Sequence, residues 1–249
     1  MKDLVTVITG SMGRPSLTKV IESVANQTYP NVQHLVFCDG PDRYTDFMKA
    51  VNEADIESSL RLDIIHLPYA VGKNRWNSHR MFGAGIYLAD EPDYIIFLDD
   101  DNTIEPEHIQ QCVDVIKKGN IWSYSLRKIV DVNGKFLCYD DCESLGKWAS
   151  VLHPQDLFID MNTYCIPKLL AVQVSPVLYR KFREPGAPEI DRVLSHTLRQ
   201  IAPNYDCTYR YSVNYAVASN SELSVKPEFF EKGNRDMLER YKGELPWKK

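Results

Sequence analysis

The chain has 249 residues, a length that holds one large α/β domain or two small ones. Its 44% hydrophobic content can fill a sizeable core, and its formal charge of -5 excludes a surface built to grip nucleic acid, which demands clustered Lys and Arg. The opening run MKDLVTVITG is too short in apolar residues for a signal peptide, and no stretch approaches the ~20 apolar residues of a membrane helix. The expected setting is cytoplasmic, with peripheral membrane contact left open.

Residues 4–9 (LVTVIT) are β-branched and apolar, the composition of a buried strand. After Pro15 and Ser16, the residues Leu17, Val20, Ile21 and Val24 recur at helical spacing and predict an amphipathic helix. Gln33 to Cys38 is a second strand, closed by the turn-forming run Asp39-Gly40-Pro41-Asp42. The alternation predicts a helix over 44–54, a strand over 61–67, a helix over 74–89 and a strand over 93–98. Pro106 then opens a helix whose apolar face is Ile109, Cys112, Val113 and Ile116. Strands alternating with helices define an α/β class, with a mostly parallel sheet flanked by helices.

Past residue 120 the grammar changes. Ile121 to Val132 and Lys135 to Tyr139 flank Asn133-Gly134, a hairpin signal. An irregular stretch follows, then a helix over 188–200 and a strand over 211–218. The last 25 or so residues read as a docked amphipathic helix or as a lid that closes when a ligand binds. The six cysteines have no secretory context and read as reduced thiols. Cys138 and Cys142 have a spacing zinc sites use, but no second pair follows.

In open α/β sheets ligands bind at the carboxyl ends of parallel strands. Four polar groups fall there: the Thr9 to Arg14 loop, Asp39, the Gly72 to Arg75 turn, and Asp99 to Asn102. Asp99, Asp100 and Asp101 end an apolar strand as three consecutive carboxylates. They repel one another unless something positive sits among them, and a hard cation such as Mg²⁺ or Mn²⁺ suits them. A solvated acidic turn capping the next helix is the ligand-free alternative. Asp140-Asp141 looks like a second such motif but follows a hairpin, so it is expected to be exposed.

The run VTVITGSMGRPSLTKVIESVANQTYPNVQHLVFCDG, continued by YIIFLDDDNTIEP, resembles the family 2 glycosyltransferases of the GT-A fold. Ser23-Val24-Ala25-Asn26-Gln27-Thr28-Tyr29 matches the end of that family's first helix, and Asp99-Asp100-Asp101 its D-x-D motif. The C-terminal half resembles the family only loosely. The resemblance implies a single GT-A domain over 1–249: a nucleotide-sugar-binding half over 1–119, an acceptor-binding and catalytic half over 120–225, and a tail over 226–249. It implies a nucleoside diphosphate sugar donor, most often a UDP-sugar, a hydroxyl acceptor such as a glycan, a divalent metal (Mn²⁺ or Mg²⁺), and inversion. Residue by residue, Thr9 and Arg14 match the loop that lines the nucleotide, and Asp39 the carboxylate that reads base or ribose. Asp99 matches the ribose or metal contact and Asp101 the metal ligand, with Asp100 the variable middle residue of the donor site. Arg75 takes the place of an arginine near the phosphates, in GKNRWN where relatives carry a different pattern.

Transfer also needs a base for the acceptor hydroxyl. Asp191, in PEIDRVL, matches the family's acidic base, with Glu189 as the fallback. A helix-end charge complementing the dipole is the plain alternative for Asp191. Asp160 and Asn162 fall on the acceptor side as substrate contacts or turn formers. Trp76, Trp148 and Tyr164 are candidate sugar-stacking rings or buried aromatics. His153 and His196 have no metal-like spacing to the acidic cluster. A sugar-phosphate nucleotidylyltransferase and a non-catalytic nucleotide-sugar binding module are the competing readings.

Overall fold

The structure is a computed structural model that describes residues 2–56, 60–74, 76–152, 157–180, 189–217 and 225–248. Strand β1 (Val5–Ser11) is buried along its whole length, as a strand covered on both faces must be. Its neighbours are β2 (Val32–Cys38), β3 (Arg61–His66) and β4 (Tyr94–Phe97), giving the parallel order β3-β2-β1-β4. Alternate side chains feed two cores. Val5, Val7, Val36 and Cys38 pack with Leu17, Val20 and Ile21 of α1 (Leu17–Ala25) and Ile109, Cys112 and Val113 of α4 (His108–Lys117). Ile8, Leu35 and Phe37 pack on the other face with Met81, Phe82 and Ile86 of α3 (His79–Leu88). Helix α2 (Tyr44–Glu53) contributes Phe47 and Ala50 to the first core.

Beyond β4 the sheet becomes mixed. It continues through β8 (Tyr164–Pro167), β6 (Trp122–Val130), β9 (Tyr205–Ala216) and β5 (Thr103–Ile104), with β7 (Phe136–Tyr139) paired to β6 as the hairpin the Asn133-Gly134 turn predicts. Among the described residues this makes one nine-stranded sheet. Helices α5 (Lys168–Leu178) and α6 (Ile190–Ile201) complete the second core.

Four boundaries differ from the sequence reading. Helix α3 starts at His79 instead of 74, because Asn74 (φ 59°) and Asn77 (φ 46°) adopt left-handed backbone that a helix cannot absorb. The stretch after residue 140, read as irregular, contains β8 and α5. Helix α5 is apolar nearly all round, so its period is faint. Strand β9 begins at Tyr205, and a register shift against β6 together with Tyr209 at φ 58° breaks its alternation. Thr103–Ile104 forms the extra strand β5 against β9.

Asp140 and Asp141, expected to be exposed, are buried. Asp140 accepts from Arg127 Nε at 2.7 Å. Asp141 receives the Tyr211 hydroxyl, Trp247 Nε1 at 2.7 Å and the Lys248 ammonium at 2.5 Å. The hairpin end is therefore the anchor for the C-terminal tail. Helix α7 (Pro227–Arg240) buries Phe230, Gly233 and Met237, and Trp247 is fully enclosed against Trp148 and Tyr241. The tail is docked here. Trp247→Ala removes a buried ring and leaves Asp141 short of a donor. We expect it to cost about 3–5 kcal/mol of unfolding free energy, read from urea denaturation.

The six cysteines are free thiols, all buried except the half-buried Cys138. Among the described residues, no helix is long and apolar enough to cross a membrane.

Candidate active site

The parallel register brings the ends of β1, β2, β3 and β4 to one edge, and the loops that leave them wall a cleft of about 240 Å³. Its lining includes Gly10, Met12 and Arg14 after β1, Asp39 after β2, Gly72 and Asn77 after β3, and Asp99 to Asn102 after β4. Tyr215 and Ala216 close it from β9, held by the Ala216 amide donating to Asn102 Oδ1 at 2.9 Å.

The three aspartates have separate surroundings. Asp100 is a buckle between loops: Ser11 Oγ donates to its Oδ2 at 2.8 Å, the Met12 amide at 3.2 Å, and Ser16 Oγ donates to its carbonyl at 2.6 Å. Burial pushes the Asp100 carboxyl up, and the Arg14 charge opposes that shift. Asp101 is ion-paired to Arg14 Nη1 at 2.8 Å. Asp99 is clasped by Asn162: its amide donates to Asn162 Oδ1 at 2.7 Å, and Asn162 Nδ2 donates to Asp99 Oδ2 at 2.9 Å. Burial, reinforced by the charge of Asp101, pushes the Asp99 carboxyl up to about 7.

Asp39 is buried and grips the loop after β3. Its Oδ1 accepts from the Val71 amide at 2.6 Å, and its Oδ2 accepts from the Gly72 amide at 3.1 Å. Only glycine fits at 72, because a Cβ there would lie 2.7 Å from Asp39 Oδ2 and 2.8 Å from the Asn77 carbonyl.

A second cleft of about 200 Å³ adjoins the first and shares Asn77, Asp99 and Tyr215 with it. Its other walls are His79, Asp160, Met161, Asn162, Glu189 and Asp191. Asp191 sits in the first turn of α6, where its Oδ1 accepts from the Arg192 amide at 2.7 Å. Burial, followed by the charge of Asp160, pushes its carboxyl up to about 6, with Arg192 opposing. Asp191 and Glu189 thus face the same compartment, next door to the acidic cluster.

The structure brings Arg14, Asp39, Asp99, Asp100, Asp101 and Asp191 to this pair of clefts. Thr9 is corrected. Its side chain is absent from the lining and shares a 3.0 Å hydrogen bond with His34 Nε2 on one face of the sheet. Strand alternation explains this, since Gly10 and the loop beyond it face the cleft while Thr9 faces a helix layer. Arg75 and His153 lie outside the described residues. Trp76 and Tyr164 are buried, and Trp148 packs on Tyr209 and Trp247, so these rings serve the core. His196 is exposed on α6.

Sequence reasoning missed Tyr215, Asn77 and above all Arg127. Arg127 lies 1% exposed on β6 and pairs with Asp140, Glu143 and Asp160. Its guanidinium stacks 4.2 Å from the Tyr215 ring centre. A lone arginine inside the apolar run WSYSLRKIV was the available signal, because a buried cation requires carboxylate partners.

Comparison with solved structures identifies this layout as the GT-A glycosyltransferase fold. S. aureus TarS 1-349 in complex with UDP-GlcNAc aligns with a TM-score of 0.63 at 16% identity, over 94% of this chain and 65% of that one. TarS 1-349 with UDP gives 0.61 at 14% identity over 96% and 71%, and a longer TarS structure gives 0.60 over 96% and 43%. This chain therefore spans just under two thirds of the TarS chain in the first alignment. No curated protein matches the sequence. The family model for glycosyl transferase family 2 matches residues 6–137, more than half of the chain, and the chain belongs to that family.

Proposed function

We propose that this protein transfers a sugar from a nucleoside diphosphate sugar to a hydroxyl acceptor, with inversion at the anomeric carbon. The observation that carries the reading is the pair of adjoining clefts that meet at Asp99, one edged by Asp39, Arg14 and Asp101, the other by Asp191. UDP-sugars are the favoured donors, supported by the TarS complexes with UDP-GlcNAc and UDP. A glycan or another hydroxyl compound is the acceptor.

The first cleft holds the donor. Asp39 and the Val71–Gly72 backbone it organises face the nucleoside, while Arg14 faces the diphosphate, where a guanidinium makes paired bonds to phosphate oxygens. Asp99 and Asp101 suit a divalent cation such as Mn²⁺ or Mg²⁺ in donor chemistry. Both are carboxylates lining the cleft, and burial, together with the charge of Asp101, raises the Asp99 carboxyl, a shift that a cation bound between the two would oppose. Two carboxylates plus phosphate oxygens is the ligand set such ions commonly take. When bound, the ion supplies electrostatic stabilisation to the departing diphosphate.

In the second cleft Asp191 accepts the proton of the acceptor hydroxyl as that oxygen attacks the anomeric carbon. The bond from that carbon to the diphosphate oxygen breaks in the same displacement, and Arg14 stabilises the negative charge on the leaving group. Tyr215 and Asn77, common to both clefts, keep water from the junction.

A thermal-shift panel of nucleoside diphosphates and UDP-sugars, with and without Mn²⁺, tests the donor assignment. A ligand at a hundred times its Kd raises stability by about 2.7 kcal/mol, so UDP with Mn²⁺ should give a clear upward shift. A shift only with nucleoside triphosphates, accompanied by pyrophosphate release, would point to nucleotidyl transfer instead.

A further inference from the structure

We propose that Asn162 is a positioning residue that sets the Asp99 carboxylate for the donor, and that Arg127 holds it in place through Asp160. This rests on the donor-site reading above.

The geometry is a chain of fully used hydrogen bonds. Asn162 is 3% exposed. Its Oδ1 accepts from the Asp99 amide at 2.7 Å, and its Nδ2 donates to Asp99 Oδ2 and to Asp160 Oδ1, each at 2.9 Å. Both N–H groups and the carbonyl oxygen of the side chain are engaged, and a flipped amide would set an NH₂ against the Asp99 N–H. Asp160 is itself fixed. Its Oδ1 also caps the Asn162 amide at 2.9 Å, and its Oδ2 takes Arg127 Nη1 at 2.6 Å. Arg127 is anchored by Asp140 and Glu143 and lies under Tyr215, the ring shared by both clefts. Asn162 therefore touches Asp99 on the backbone and on one carboxylate oxygen, leaving Oδ1 of Asp99 for a ligand. Such outer partners orient a carboxylate ligand, and losing one commonly costs about 10–100-fold in metal affinity.

Asn162→Asp keeps the shape and the acceptor for the Asp99 amide but sets a carboxylate against Asp99 and Asp160. Asn162→Ala removes all three contacts. Calorimetric titration with UDP, in EDTA and then in Mn²⁺, separates positioning from general damage. In either variant the gain in UDP affinity brought by Mn²⁺ should fall about 10–100-fold, while UDP affinity in EDTA stays at the wild-type value. A residue that merely supports the fold would lower both affinities together or neither. If both variants keep the Mn²⁺-dependent gain while Asp101→Ala loses it, the positioning role is wrong and the donor-site reading stands. If Asp101→Ala keeps the gain as well, the donor-site reading fails and this inference fails with it.

Discussion

Asp191→Asn should lower sugar transfer by about 10²–10⁴-fold, the range a positioned general base supplies, with donor affinity unchanged. Asparagine fills the same space but cannot take a proton, and the residue lies in the second cleft, away from Arg14 and Asp39. The pH profile carries a second mark. A base works deprotonated, and burial together with Asp160 pushes the Asp191 carboxyl up to about 6. The limb belonging to this base should therefore fall as pH drops through about 6, well above where an ordinary aspartate titrates. That limb should vanish in Asp191→Asn. Steady-state rates at saturating donor check both marks. Retention of full transfer with an unchanged acidic limb would remove Asp191 from the role and turn attention to Glu189, two residues earlier in the same wall.

Much of the N-terminal half was legible because its signals are local. Apolar runs ending in Asp39 and Asp99 announce parallel strands whose carboxyl ends hold polar groups, and the register of β1 with β2 and β4 delivers them to one edge. The resolution of that edge was less legible. Asp100 looks like its neighbours in the sequence, yet its carboxylate is committed to Ser11 and the Met12 amide, a pairing made only when two loops meet. Thr9 was misplaced because a sequence position one residue from the cleft points to the opposite face of a strand.

The C-terminal half was harder for a physical reason. Its strands pair out of chain order, with β8 and β9 flanking β6, so no local alternation records them. Helix α5 is apolar nearly all round, so its period is faint. Asp140 and Asp141 read as a surface turn because the partners of Asp141, Tyr211 and Trp247, arrive from distant segments, while Asp140 is taken by Arg127 across the hairpin. Family resemblance pointed to Asp191 as the candidate base, and the burial and the Asp160 charge that raise its carboxyl exist only in the fold.

The most direct test of the donor site is calorimetric titration of UDP, with and without Mn²⁺, into wild-type protein and Asp101→Ala. Asp101 makes the shorter of the two Arg14 ion pairs, at 2.8 Å, and both residues line the cleft proposed for the donor. The substitution removes a proposed metal ligand and leaves Arg14 with its 3.5 Å pairing to Asp100, while the Asp100 buckle between loops stays intact. Wild type should bind UDP more tightly with Mn²⁺ than without, and Asp101→Ala should lose that gain, by more than the roughly 10–100-fold that loss of an outer partner costs. Equal Mn²⁺-dependent binding by the two proteins would contradict the assignment of this acidic cluster to the donor diphosphate.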